Sequence, residues 1–332
     1  MFCSPSIRRS PAAAWPLLIG AIVLASVLLA FAAKGPGPNP RADSWSEVRQ
    51  GVAGYTSVES RGHDVLIHNG GQNWRVTRNG VVAGIGPWVL ALVLAAIVAF
   101  YLIVGKDRLE EPRSGIMLER FSKGERILHW STAILFVILA LTGLSTLFGR
   151  AVLIPVFGQA AFAEYMQWGL GVHNVLGPVF LVGVLAEIVL WAKDNMPKRI
   201  DLDWFLKMGG MVGQGPRPHA EKENAGAKAW FWFMALAGIA MGVTGVILDF
   251  PIWGQARGTM QLAHLIHASV AILFIAASLG HIYMGTIGAE GTFEGMWRGR
   301  VDAVWAKQHQ DLWYKEKMGV SPLHPENKEN RG

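Results

Sequence analysis

Apolar residues along this chain fall into long blocks set apart by shorter polar stretches. Five blocks, at about 85–104, 128–148, 171–192, 229–250 and 259–287, are each long enough to cross a hydrocarbon core of about 30 Å as one helix. An earlier block, 17–33, follows Arg8 and Arg9 and leads into Gly- and Pro-rich sequence. It ends in Ala30-Phe31-Ala32, which fits the small-residue pattern of a signal-peptide cleavage site. Residues 1–33 therefore read as a signal peptide, with a retained N-terminal anchor as the alternative. Either reading leaves residue 34 outside the cytoplasm. Residues 34–84 are polar and turn-rich. Within them Val65-Leu66-Ile67, followed by His68-Asn69-Gly70-Gly71-Gln72-Asn73-Trp74-Arg75, predicts short strands around a tight turn. The segment is too small for a substantial core of its own. It reads as a small periplasmic embellishment or as a docking surface, with His63 and His68 as exposed loop histidines.

The charges between the blocks set an orientation. Starting outside, the connection 105–127 carries Lys106, Arg108, Arg113, Arg120, Lys123 and Arg126 and is assigned inside. The segment 149–170 has only Arg150 and is assigned outside, 193–228 is Lys/Arg-rich and inside, and 251–258 has only Arg257 and is outside. The tail, 291–332, is rich in Lys and Arg and falls inside. The expected fold is an all-α membrane protein, a transmembrane helical bundle with a four-helix core within 105–290. One or two extra N-terminal helices, 85–104 among them, stand before that core.

Composition agrees. Of 332 residues 52% are hydrophobic and only 16% charged, and the mean hydropathy is +0.31, which suits a membrane protein. The net charge of +6 lies in the loops, so it reads as a topology signal and not as a nucleic-acid surface. Fourteen Trp, many near the ends of apolar blocks, resemble an interfacial belt. The single cysteine, Cys3, excludes a disulfide framework, an iron–sulfur ligand set and a thiolate zinc site built from this chain alone.

Four histidines stand within or at the ends of the blocks: His129, His173, His267 and His281. His267 and His281 share one block and are 14 residues apart. At about 100° per residue they return to within about 40° of the same face, with a rise of about 21 Å. The topology puts His129 at the inner face, His173 at the outer face, His267 toward the outside and His281 deeper. The depths therefore match pairwise, His173 with His267 and His129 with His281. Two imidazoles from facing helices at one depth are an axial ligand set for haem iron. Two such pairs predict two b-type haems, with no covalent attachment, since no C-x-x-C-H is present. A single intramembrane histidine is often a packing residue, but two depth-matched pairs across three helices point to function. Zinc is disfavoured because two ligands per site leave its usual four incomplete. His264 is aimed about 100° away from His281 and takes a secondary role. Gly143, Gly177, Gly183, Gly242, Gly245 and Gly280 would admit a flat macrocycle or serve close helix packing. Arg126, three residues before His129, could pair with a haem propionate or anchor the interface.

At these residues the chain resembles the gamma, or cytochrome b556, subunit of membrane-bound formate dehydrogenase, in a longer form. The resemblance covers roughly 116–317. It rests on RILHW (126–130), HNVLGP (173–178), DNMP (194–197), NAGAK (224–228), VTGVI (243–247), LIHASV (265–270) and HIYMG (281–285). The tail sequence GTFEGMWRGRV followed by WAKQHQDLWYKE adds to it. It implies that His129, His173, His267 and His281 are the axial ligands of two haem b groups in a bacterial inner-membrane protein of respiratory electron transport. It also implies an external molybdenum or tungsten catalytic alpha subunit that oxidises formate, and an iron–sulfur beta subunit that feeds electrons to the outer haem. A quinone, menaquinone or ubiquinone, is reduced beside the inner haem. This subunit would conduct electrons and would not itself bind formate.

By the same resemblance the quinone site involves Asn224, Gly226 and His281, although Ala227 stands where a shorter member has Gln. The residues also suit a helix N-cap at Asn224. Glu187 could relay protons at its depth, with an ion pair to Lys193 as the plainer expectation. Alternatives are a cytochrome b subunit of a nickel–iron hydrogenase or thiosulfate reductase, or a haem-free membrane anchor.

Overall fold

The structure is a computed structural model and describes residues 69–212 and 216–319. The expectations for 1–33, His63 and His68 fall outside the described residues. Apart from one two-stranded sheet, the described chain is helical. Helix α1 (Asn69–Val76) passes through a π-helical turn (Thr77–Val82) into α2 (Ala83–Ile103). Strand β1 (Met117–Glu119) precedes α3 (Lys123–Val152) and α4 (Ile154–Trp191). Then follow α5 (Arg199–Leu206), α6 (Ala225–Asp249) and α7 (Arg257–Tyr283). The end of the chain holds α8 (Thr292–Arg298), β2 (Arg300–Asp302), α9 (Ala303–His309) and α10 (Asp311–Met318).

Among the described residues, five helices have the length and apolarity to cross a membrane: Gly70–Ile103, α3, α4, α6 and Arg257–Gly288. They coincide with the five apolar blocks. Their outward faces keep large apolar side chains exposed, among them Leu92, Leu102, Val182 and Val189. Such faces are unfavourable in water and are matched in a hydrocarbon solvent. This is a helical, multi-pass membrane protein.

Two segments depart from the sequence expectation. Of the stretch 65–75, read as short strands around a turn, the described part from Asn69 onward is helix, and 65–68 lie outside the described residues. Its glycines and asparagines disfavour helix locally, but tertiary contacts override that preference. Gly71 lies against the Arg257 guanidinium, and Trp74 meets His264 edge-on with ring centres 5.4 Å apart. The connection 149–170 is also largely helical, since α4 begins only two residues after α3 ends. Its residues 159–168, QAAFAEYMQW, are rich in good helix formers. The break falls at Gly158, with φ 80° and ψ 168°, a conformation open to glycine.

The chain forms two compact units. The first holds 69–95 of the described N-terminal part together with 135–181 and 240–276. Its core gathers Val82, Leu90, Ile272 and Ala276, with Leu144, Leu147 and Leu265 packed around them. Gly86 allows α2 to approach Ile272 and Phe148, where a side chain would collide. Phe136, Phe180 and Phe274 form a second cluster, with ring centres 4.8 to 6.4 Å apart.

The second unit holds 96–134, 182–239 and 277–319 of the described residues. Strands β1 and β2 pair antiparallel, Met117 opposite Asp302, over a core of Val301, Trp305, Ala306 and Trp313. Asp302 accepts hydrogen bonds from the backbone N–H groups of Ser114, Gly115 and Val304 and from the Ser114 hydroxyl. Arg120 pairs with Glu223 at 2.9 Å and lies over the rings of Phe121 and Trp305. Arg217 grips both carboxylate oxygens of Asp107. These contacts bind the tail and the connection before α6 to the segment ahead of α3.

Candidate histidine centres

Each unit contains one close pair of histidines. In the first, α4 carries His173 and α7 carries His267, with ring centres 6.2 Å apart and planes at 69°. In the second, α3 carries His129 and α7 carries His281, also 6.2 Å apart, with planes at 55°. Imidazole nitrogens bound to one metal at about 2.0–2.1 Å put the two ring centres about 6–6.5 Å apart. Both pairs have that spacing. Among the described residues no cluster of three or more metal-ligating side chains occurs. The donor set is therefore two imidazoles per site, which suits an iron whose equatorial positions are filled by a macrocycle. The residues fit haem.

The first pair is held by two threonines. Thr142 Oγ1 is 2.8 Å from His173 Nδ1, and 2.9 and 3.1 Å from the carbonyl oxygens of Ile138 and Leu139 on its own helix. Thr244 Oγ1 is 2.9 Å from His267 Nδ1, and 2.6 and 3.2 Å from the carbonyl oxygens of Ala240 and Met241. A hydroxyl has one proton to donate and two lone pairs to offer. With that proton directed back to the helix, each threonine accepts from Nδ1–H. The Nε2 atoms are then the unprotonated ones. Directly after each threonine stands a glycine, Gly143 or Gly245. A Cβ there would lie 3.4 Å from Cε1 of His173 or His267.

The second pair is held differently. His129 Nδ1 is buried with no partner among the described residues, and its ring meets Trp130 edge-on. His281 is exposed on one side and stacked on Trp230, with ring centres 4.5 Å apart and planes at 12°.

The other candidate residues separate clearly. Arg126 donates to the Trp297 carbonyl at 2.7 Å, while its Nε is buried with no hydrogen-bond partner among the described residues. Asn224 caps α6, its Oδ1 accepting from Ala227 N–H at 2.9 Å. A Cβ at Gly226 would lie 2.8 Å from Trp204. Gly226 is one helical turn before Trp230, so the start of α6 reaches His281 through that indole. Lys228 is buried and bonded to both oxygens of Asp201. Gly183 and Gly242 serve close packing, against Thr132 and Leu181, whereas Gly177 and Gly280 face open space. Glu187 is buried, and no ion pair joins it to Lys193 among the described residues. Its neighbour is Thr132, close enough to be felt electrostatically but making no well-formed hydrogen bond. The expectation of a surface pair is thus corrected. Its place on α4, four residues before the end of the helix, turns the carboxyl toward α3. His264 packs on Trp74, and neither His264 Nδ1 nor Trp74 Nε1 has a hydrogen-bond partner among the described residues.

Sequence reasoning missed Thr142, Thr244, Trp204 and Trp230. The signal for the first two was present as a Thr-Gly dipeptide occurring in two of the apolar blocks, 142–143 and 244–245.

The family model for prokaryotic cytochrome b561 matches residues 120–299. The cytochrome b556(Fdn) subunit of nitrate-inducible formate dehydrogenase from Escherichia coli K12 is 31% identical over 205 residues, which are 60% of this chain and 91% of that protein. The cytochrome b556(fdo) subunit of formate dehydrogenase from the same strain is 28% identical over 200 residues, 59% of this chain and 92% of that protein. The cytochrome b556 subunit of formate dehydrogenase from Haemophilus influenzae is 27% identical over 202 residues, 58% of this chain and 80% of that protein.

Proposed function

We propose a function from one premise: the chain belongs to the prokaryotic cytochrome b561 family. Within that family we read it as the cytochrome b subunit of a membrane-bound formate dehydrogenase. The observation that carries the reading is the two histidine pairs, each with ring centres 6.2 Å apart on helices of membrane-spanning length. His173 and His267 would hold one haem b, and His129 and His281 a second. Haem b supplies a one-electron carrier when bound.

The chain's own residues do the rest. The first pair presents two Nε2 atoms in a fixed tautomer. In the second, Trp230 sets the plane of His281. Arg126 stands three residues before His129, where a guanidinium could meet a propionate. Asn224, Gly226 and His281 form the proposed quinone site, and Trp204 and Trp230 wall it. In this role the subunit takes electrons from an iron–sulfur subunit on the outer side of the inner membrane. It delivers them to menaquinone or ubiquinone near the cytoplasmic face, and formate is oxidised by a separate molybdenum or tungsten subunit. The relatives' names support formate dehydrogenase over a nickel–iron hydrogenase or a thiosulfate reductase.

The test is a reduced-minus-oxidised spectrum of the complex purified through this subunit, with the co-purifying chains identified. The expected result is a b-type signal at two haems per chain, with formate dehydrogenase subunits attached. A correctly inserted chain without a b-type signal would return it to the class of haem-free anchors.

A further inference from the structure

Thr142 and Thr244 occupy equivalent places in the first histidine pair, although they come from different helices. Each hydroxyl spends its proton on a carbonyl of its own helix turn and offers a lone pair to a histidine Nδ1. Each is followed by a glycine that leaves the ring edge uncovered. The second pair has no counterpart at His129, whose Nδ1 is buried with no hydrogen-bond partner among the described residues. We propose that Thr142 and Thr244 are positioning residues that fix the Nδ1–H tautomer of His173 and His267 and lower the midpoint potential of the haem these histidines hold. The inference rests on the reading that His173 and His267 are axial ligands.

The physical chain is short. An acceptor on Nδ1–H draws that proton outward and makes Nε2 a stronger donor. A stronger donor favours ferric over ferrous iron, so the potential falls. With haem bound there, the one electron it exchanges would come from the iron–sulfur partner and go onward to quinone. The Nδ1 proton stays on its ring throughout, because the threonine it faces already has a proton and no route to release it. Two threonines acting on opposite ligands should contribute additively. The outer haem is then the better reductant for whatever accepts its electron.

The experiment uses the whole complex and potentiometric titration of both haems, with the haem of His129 and His281 as internal control. The variants are Thr142→Val, Thr244→Val and the double variant, with Thr142→Ser and Thr244→Ser as rescues. Each valine should shift the ferric/ferrous equilibrium of one haem three- to tenfold toward ferrous, a rise of up to about 59 mV. The double variant should show the sum, and serine should restore the original value. The second haem should stay in place. Should a valine variant insert without the first haem, alanine is read instead. Loss of haem with both valine and alanine, but not with serine, supports the assignment, since only the hydroxyl distinguishes them. Haem retained at an unchanged potential would overturn it, and so would serine behaving as valine, or both haems shifting equally. Absence of haem from the unsubstituted complex would instead sink the axial-ligand reading.

Discussion

Asp302 shows how much one carboxylate can organise. It is only 3% exposed and accepts four hydrogen bonds, three of them from backbone N–H groups. Burial pushes its pKa up, but the hydrogen bonds from Val304, Ser114 and Gly115 outweigh that and leave it below the ordinary value of 3.8. A lowered carboxylate pKa means that the unfolded chain binds the proton more tightly. The stabilisation is therefore complete above the ordinary carboxylate range and is lost as pH falls through the depressed value. Asp302→Asn should cost about 1–3 kcal/mol, and the variant should lose most of the acid sensitivity of this region. Hydrogen exchange of 300–309 between pH 3 and 7 measures both, and an unaltered pH profile in the variant would show that another group governs it. At this same scale the histidines were legible and the threonines were not. An imidazole in an apolar block stands out by its chemistry. A threonine bonded back to its own helix is commonplace there, and only the placement of His173 and His267 reveals the second bond its oxygen makes.

Elements were legible where hydrophobicity defined them. The five spans follow from blocks too long and too apolar for any other use. Helix α1 was not, because its residues NGGQNWRV favour turns taken singly, and only packing on α7 makes them helical. Trp74 is the principal contact, edge-on to His264. Trp74→Ala should release α1 from α7 at a cost of about 1–2 kcal/mol, below the roughly 3–5 kcal/mol of a fully buried ring. Amides of 69–82 should exchange about tenfold faster, with those of α3 unchanged. Equal exchange in the variant would mean that the Gly71–Arg257 approach holds the helix by itself. The relatives cover about 60% of this chain, and the matched family region begins at residue 120. Helix α1 therefore belongs to the part of the chain that the family region leaves out.

For the whole molecule, the proposed assignment makes a sorted set of outcomes. His173→Ala and His267→Ala should each remove the same haem, and His129→Ala and His281→Ala the other. Haem content per inserted chain should fall from two to one in every case, with two distinct spectra among the four variants. Four identical spectra would undo the pairing. The division into spans and connections was accessible because Lys and Arg cluster in the connections. The arrangement of the tail was not, since its partners lie far back in the sequence.

That distance matters for biosynthesis. Ser114 and Asp302 are 188 positions apart, yet they meet in one cluster, and β1 waits for β2. As the ribosome extends the chain from its N-terminus, β1 and the start of α3 are made long before anything exists for them to pair with. The second unit cannot close until residues 300–302 have been made. Insertion of the helices and maturation of this unit are thus separate events in time, and a ribosome that stalls before codon 300 leaves the spanning helices made but the second unit without its β2 strand.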